Sequence, residues 1–232
     1  MKCLIIGHRG AKGLAPENTL KAFRIGLERA DAVECDVRLT EDGLLVVIHD
    51  GSLIRRARVR GMVKDFTMAE LAAFDAGFGE KFPSLEDVIR LAACSDKTLI
   101  IEIKTFAREN PRLPAEALKK TLSAFSSLPK IMICSFNHET LKHFRKIMPG
   151  ITIIATMKKG MSDAEIEKAI DDLSPEGVSV EFRDLTPALA AKIKAGGMFL
   201  QAWVVNEDKD FRKVEAMGVD WVYTDFPGKF GR

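Results

Sequence analysis

The chain has 232 residues, 47% hydrophobic and 29% charged, with 35 Lys+Arg against 33 Asp+Glu for a net charge of +2. This is enough apolar material for a sizeable core, which excludes disorder, and so small a net charge offers no footprint for nucleic acid. The apolar runs fall far short of the roughly 18 residues a membrane helix needs, so no transmembrane segment is expected; Cys3–Ile6 is also too short for a secretory h-region, and a cytoplasmic protein is expected.

The pattern opens with an apolar strand over Lys2–Gly7 and a helix over Asn18–Arg29, entered through Asn18-Thr19. Strands over Ala32–Val37 and Leu44–Ile48 follow, with only Thr40-Glu41-Asp42-Gly43 between them, an Asp-Gly turn that leaves no room for a helix. A hairpin centred near Asp42 sets His49 opposite Asp36. Residues 51–82 fit no strand–helix rhythm and read as an insertion over one end of the fold. Beyond them come helix Leu85–Ala93, strand Thr98–Ile103, helix Ala115–Phe125, strand Lys130–Cys134 and helix His138–Ile147. The chain then runs through strand Ile151–Thr156, helix Asp163–Leu173, strand Gly177–Val180, helix Pro187–Ala195, strand Phe199–Val204, helix Asp208–Met217 and strand Trp221–Tyr223. Helix starts are marked by Ser84, by Ser162 with Glu165, and by Thr186 before Pro187.

This alternation predicts an α/β fold, a (β/α)8 TIM-type barrel with a short insertion after the third strand, forming a single domain over residues 1–232. An open dinucleotide-binding sheet lacks its fingerprint, since Gly7, Gly10 and Gly13 have the wrong spacing. Cys3, Cys35, Cys94 and Cys134 show no metal-finger spacing and are expected as buried, reduced thiols.

Barrel strands are apolar except at their C-terminal ends, where sites are built. Here those ends read His8-Arg9, Glu34-Cys35-Asp36, His49-Asp50 and Glu102-Ile103-Lys104. Strand alternation puts Glu34 and Asp36 on one face, and likewise Glu102 and Lys104. Singly, each carboxylate reads as a solvated edge or an ion pair. Together, three cannot stay ionised side by side without a cation, and oxygen-only ligation suits one divalent Mg²⁺ or Ca²⁺. His8 and His49 then read as a general acid–base pair, and Arg9 and Lys104 as fixed charge for an anionic phosphoryl group. The chemistry indicated is metal-assisted hydrolysis of a phosphate ester. His138 and His143, five apart on a helical pattern, do not share the face that paired ligands use, and are read as surface or packing residues.

His8-Arg9-Gly10 with Pro16-Glu17-Asn18-Thr19, Glu34-x-Asp36, His49-Asp50 and Glu102-Ile103-Lys104 closely resembles the glycerophosphodiester phosphodiesterases. The likeness continues through Asp75-Ala76-Gly77, Phe82-Pro83-Ser84-Leu85-Glu86, Ser135-Phe136, Trp203-Val204-Val205-Asn206 and Thr224-Asp225-Phe226-Pro227. The resemblance implies a phospholipase C-like barrel with its divalent ion on Glu34, Asp36 and Glu102, and His8 and His49 as acid and base. It implies hydrolysis of a small-molecule glycerophosphodiester to sn-glycerol 3-phosphate and an alcohol, with Arg9 and Lys104 holding phosphate and glycerol and Trp203 lining the pocket. The alternatives are a lipid-headgroup phosphodiesterase or lyase of the same barrel type, and a non-catalytic barrel that binds phosphodiesters. The sequence departs from the family after His49-Asp50, where Arg55 is kept but two threonines are replaced within the run Arg55 to Arg60. That run reads as a solvated loop, or else as an attractor for an anionic headgroup or lipid surface.

Overall fold

The computed structural model describes residues 3–105 and 109–230. Lys2, the expected start of the first strand, lies outside them. Among the described residues, eight parallel strands close into a barrel: β1 (Leu4–Gly7), β2 (Ala32–Leu39), β4 (Thr98–Ile103), β5 (Lys130–Ser135), β6 (Thr152–Thr156), β7 (Gly177–Glu181), β8 (Phe199–Trp203) and β9 (Trp221–Thr224). The ring closes through β1, which pairs with β9 on one side and with the start of β2 on the other.

The ninth strand, β3 (Leu45–Val47), is antiparallel to the upper half of β2 and takes the edge that β1 leaves. The expected hairpin is present but its register is one residue away from the reading above. Asp36 faces Ile48, whose N donates to Asp36 O at 2.9 Å, and not His49. The cause is a three-residue loop. Thr40 N donates to Leu44 O at 2.9 Å, and Gly43 supplies the third loop residue at φ 75°.

Strand alternation splits the core. Val33, Cys35, Leu99 and Ile101 face the helix layer, whereas Ile6, Ala32, Ile100, Cys134, Ile154 and Tyr223 pack together inside the ring. The same alternation aims Glu34 and Glu102 into the barrel above that inner layer.

The helices are α1 (Leu20–Arg29), α2 (Ile54–Ala57), α3 (Met68–Ala73), α4 (Leu85–Ala92), α5 (Arg112–Ser123), α6 (His138–Ile147), α7 (Asp163–Leu173), α8 (Pro187–Ala195) and α9 (Asp208–Ala216). Capping boxes at Ser84/Asp87 and Ser162/Glu165 start α4 and α7, and Thr186 with Pro187 starts α8. α5 begins before the expected Ala115 because Pro114 falls in its first turn, where a missing N–H costs no helical bond. α1 is capped by Thr19, not by Asn18, which stands at φ 58° and turns its side chain toward the site. Residues 51–82 form an irregular insertion, in which α2, α3 and a 3₁₀ turn at Val63–Asp65 build a small second core together with Val46 and Ile48 of the hairpin. All four cysteines are free. Three are buried as expected, but Cys94 is exposed, because it follows the end of α4 and not a strand.

Candidate active site

Oxygen atoms of Glu34, Asp36 and Glu102 lie within 4.8 Å of one another, the first two on the part of β2 that pairs with β4 and the third near the C-terminal end of β4. All three are screened from solvent, and two cations are built against them. Lys104 Nζ is 3.1 Å from Asp36 Oδ1 and also contacts Glu102 Oε1; Arg9 Nε is 3.3 Å from Asp36 Oδ2. Asn18 Nδ2 adds a hydrogen bond to Asp36 Oδ2 at 2.8 Å. Burial works against ionisation of Asp36, but Lys104 and Arg9 outweigh it and hold this carboxyl far below its usual range. Burial dominates for Glu34, reinforced by the charges of Asp36 and Glu102, and pushes it well above the carboxylate range. Burial also raises Glu102, despite Lys104.

The fit to a cation can be judged from Glu34. Its Oε2 accepts from Arg9 N at 2.8 Å, while Oε1 is buried with no hydrogen-bond partner. A buried carboxylate oxygen left without a donor is costly unless a cation takes it. An all-oxygen set of this spread suits a hard divalent ion, whose ligands stand at roughly 2.0–2.6 Å. The residues fit such an ion.

His8 and His49 line the same cavity as this cluster, each with its Nδ1 committed. His8 Nδ1 donates to Asp225 Oδ1 at 2.7 Å, and Asp225 is itself fixed by Asn206, which donates to Oδ2 at 2.9 Å and accepts from the Asp225 N–H at 2.9 Å. His49 Nδ1 donates to Asp50 Oδ1 at 2.8 Å. Arg55 contacts the other Asp50 oxygen and reaches Glu17 Oε1 at 2.5 Å, and Glu17 in turn accepts from Arg9 Nη1 at 3.0 Å. Nε2 is thereby the working nitrogen of each ring, and that of His8 accepts from Arg9 Nε at 3.2 Å. Burial lowers both imidazoles from 6.5, more than their carboxylate partners raise them.

His8, Arg9, Glu34, His49, Glu102, Lys104 and Trp203 line one cavity of about 230 Å³, and Asp36 stands behind its wall. Trp203 closes the far side, edge-on to Phe136 at 5.6 Å. A wider groove of about 620 Å³ adjoins it and shares Glu102, Lys104, Phe136 and Thr156. Every candidate catalytic, substrate-binding and metal-ligating residue named from the sequence thus lines this cavity or packs against it. His138 borders the groove, its Nε2 on Thr156 O at 3.0 Å, and His143 packs beside Glu116. Asp225, Asn206, Glu17 and Asp50 carry no functional expectation from the sequence, nor does Asn18 beyond its place at a helix start, although all five lie in the quoted motifs; position in those motifs is the available signal. Arg55, although exposed, is an ion-pair partner of Glu17 and Asp50.

The comparisons agree with this geometry. The sequence model of the glycerophosphoryl diester phosphodiesterase family matches residues 8–229. A glycerophosphodiester phosphodiesterase of Caldanaerobacter subterraneus subsp. tengcongensis is 36% identical, over 98% of this chain and 96% of its own. One from Bacillus altitudinis is 32% identical, over 97% and 95%. Among solved structures, an Oleispira antarctica phosphodiesterase in complex with the product sn-glycerol-3-phosphate superposes with a TM-score of 0.90 at 26% identity, over 98% of this chain and 94% of its own. The Thermotoga maritima glycerophosphodiester phosphodiesterase superposes with a TM-score of 0.82 at 26% identity, over 99% and 97%. With the same fold, near-complete coverage and a family match that begins at His8 and runs past Asp225, this chain belongs to the glycerophosphoryl diester phosphodiesterase family.

Proposed function

We propose that the protein hydrolyses glycerophosphodiesters to sn-glycerol 3-phosphate and an alcohol, with Glu34, Asp36 and Glu102 as ligands of one Mg²⁺ or Ca²⁺. The observation that carries this reading is the pairing of two carboxylate-anchored histidines across a cavity walled by buried carboxylates and two cations. The product bound by the Oleispira antarctica relative supports the same substrate class. Four unpaired thiols fit a reducing compartment, and we take the cytoplasm as the place of action.

A divalent cation on the three carboxylates would supply Lewis-acid stabilisation of the charge that builds on the phosphoryl oxygens. The protein's own groups do the rest. Arg9 and Lys104 are held in place by Glu17, Asp36 and Glu102, so their charges meet the phosphate without reorganisation. One imidazole Nε2 takes the proton of the nucleophile, water or the substrate's own glycerol hydroxyl, and the other delivers a proton to the departing alkoxide; where the glycerol hydroxyl attacks, water then opens the cyclic phosphate to sn-glycerol 3-phosphate. Trp203 and Phe136 wall the pocket on the glycerol side, and the wider groove leaves room for the alcohol.

The test is the product formed from glycerophosphocholine. Release of choline with sn-glycerol 3-phosphate, lost in His8→Ala and His49→Ala, supports the assignment. Release of phosphocholine with glycerol, or unchanged turnover in either variant, contradicts it.

A further inference from the structure

Among the described residues, the two most exposed large hydrophobic side chains both lie in the inserted segment: Phe78 at 97% and Ile54 at 60%. The segment has places to bury aromatic rings. Phe82 is in its core, and Phe66 packs edge-to-face on Phe74 at 5.6 Å. Phe78 is displayed instead, on a turn fastened from several sides. Asp75 Oδ1 accepts from Gly77 N at 2.6 Å and from Gly79 N at 3.1 Å, and Ala76 N donates to Glu80 O at 2.7 Å. At φ 54° Phe78 occupies the left-handed region that bulky residues avoid, so the turn holds the ring outward against its backbone preference. Arg56 donates to Ala76 O at 2.6 Å and ties this turn to α2, which carries Ile54.

The charge nearby is cationic. The side chains of Arg58 and Arg60 are exposed and make no hydrogen bond or ion pair among the described residues. Most of the segment's acids are engaged: Asp65 on Lys64, Glu70 on the Thr67 cap and Asp75 within the turn, with Glu80 remaining. The geometry points to a docking surface for an anionic lipid bilayer, in which Phe78 and Ile54 enter the headgroup boundary and Arg58 and Arg60 lie against its phosphates. An apolar ring and an aliphatic side chain flanked by arginines form a set that partitions to that boundary, and each cation near an anionic surface adds to binding. Docking here brings the mouth of the site to the bilayer, because Gly77 lies against Pro16, whose neighbour Glu17 holds both Arg9 and Arg55.

Flotation of the full chain with vesicles tests this without using the hydrolytic reaction. Wild type floats with mixed phosphatidylglycerol and phosphatidylcholine vesicles at low ionic strength, binds pure phosphatidylcholine more weakly, and is released by salt. Phe78→Ser lowers the partition coefficient about tenfold, the loss expected when one aromatic side chain stays in water. Arg58→Glu combined with Arg60→Glu removes the preference for the anionic vesicles. Since the Phe78 ring is almost fully exposed, Phe78→Ser keeps the wild-type melting temperature. No flotation with anionic vesicles, or equal flotation of wild type and Phe78→Ser, overturns the proposal. A Phe78-dependent dimer in light scattering also overturns it, because a second copy would then be the occupant.

Discussion

His8 and His49, the proposed acid–base pair, stand in different surroundings. His8 is anchored by an aspartate that is itself held by a neutral amide, while the aspartate of His49 is shared with Arg55. Removing either ring, by His8→Ala or His49→Ala, is expected to lower kcat by at least ~10²-fold. His138→Ala and His143→Ala are expected to change it less than about tenfold, because neither ring enters the cavity that holds the cluster. Asp225→Asn is a finer test. It keeps the shape but removes the charge that fixes the His8 tautomer, so kcat falls at least about tenfold with KM changed little, as steady-state kinetics on glycerophosphocholine will read. Burial alone would raise Asp225 and Asp50, but His8 and Asn206 hold the first down to about 2, and Arg55 and His49 hold the second down to about 2. Both lie below the unfolded carboxyl value of ~3.9, so the unfolded chain binds more protons as pH falls. Their stability is whole above pH ~4 and is lost as pH drops from there to about 2. Urea midpoints across that window should fall less steeply in Asp225→Asn than in wild type. The histidines, carboxylates and cations were legible because polar residues at the ends of apolar strands are conspicuous. Asp225 and Asn206 were not, because what they do depends on a contact across 217 positions that no local pattern encodes.

At the scale of elements, the site depends on two close fits. The first is the hairpin. Its existence follows from a four-residue spacer containing Asp-Gly, but a two-residue and a three-residue loop differ by one position, and alternation alone does not choose between them. The second is the seat of α1 against the loop after β1. Gly10 has φ 80°, and a Cβ there would stand 2.6 Å from the Ala22 carbonyl carbon. Gly10→Ala should therefore cost more than about 1 kcal/mol of stability by denaturant titration and displace Arg9, the residue before it. The insertion read as irregular from its broken rhythm, and it is. What the pattern could not tell is that Arg55, in a run that looks like a solvated loop, reaches back 38 positions to Glu17, which also holds Arg9.

For the whole molecule, barrel closure gathers the site. Parallel pairing of β2 with β4 sets Asp36 beside Glu102, and closure through β1 and β9 brings His8 to Asp225. The three carboxylates therefore converge only in the folded chain, and an ion that binds the native state alone stabilises it by RT ln(1 + [L]/Kd). Mg²⁺ or Ca²⁺ should raise the melting temperature, chelation should reverse the rise, and Glu102→Gln should weaken it. The most direct measurement of the central claim is hydrolysis of glycerophosphocholine by protein stripped of metal, verified by elemental analysis, with sn-glycerol 3-phosphate followed before and after an ion is restored. The expected result is no product from the stripped protein and recovery on adding Mg²⁺ or Ca²⁺. Full-rate hydrolysis without metal, or none with either ion, would contradict the assignment of Glu34, Asp36 and Glu102.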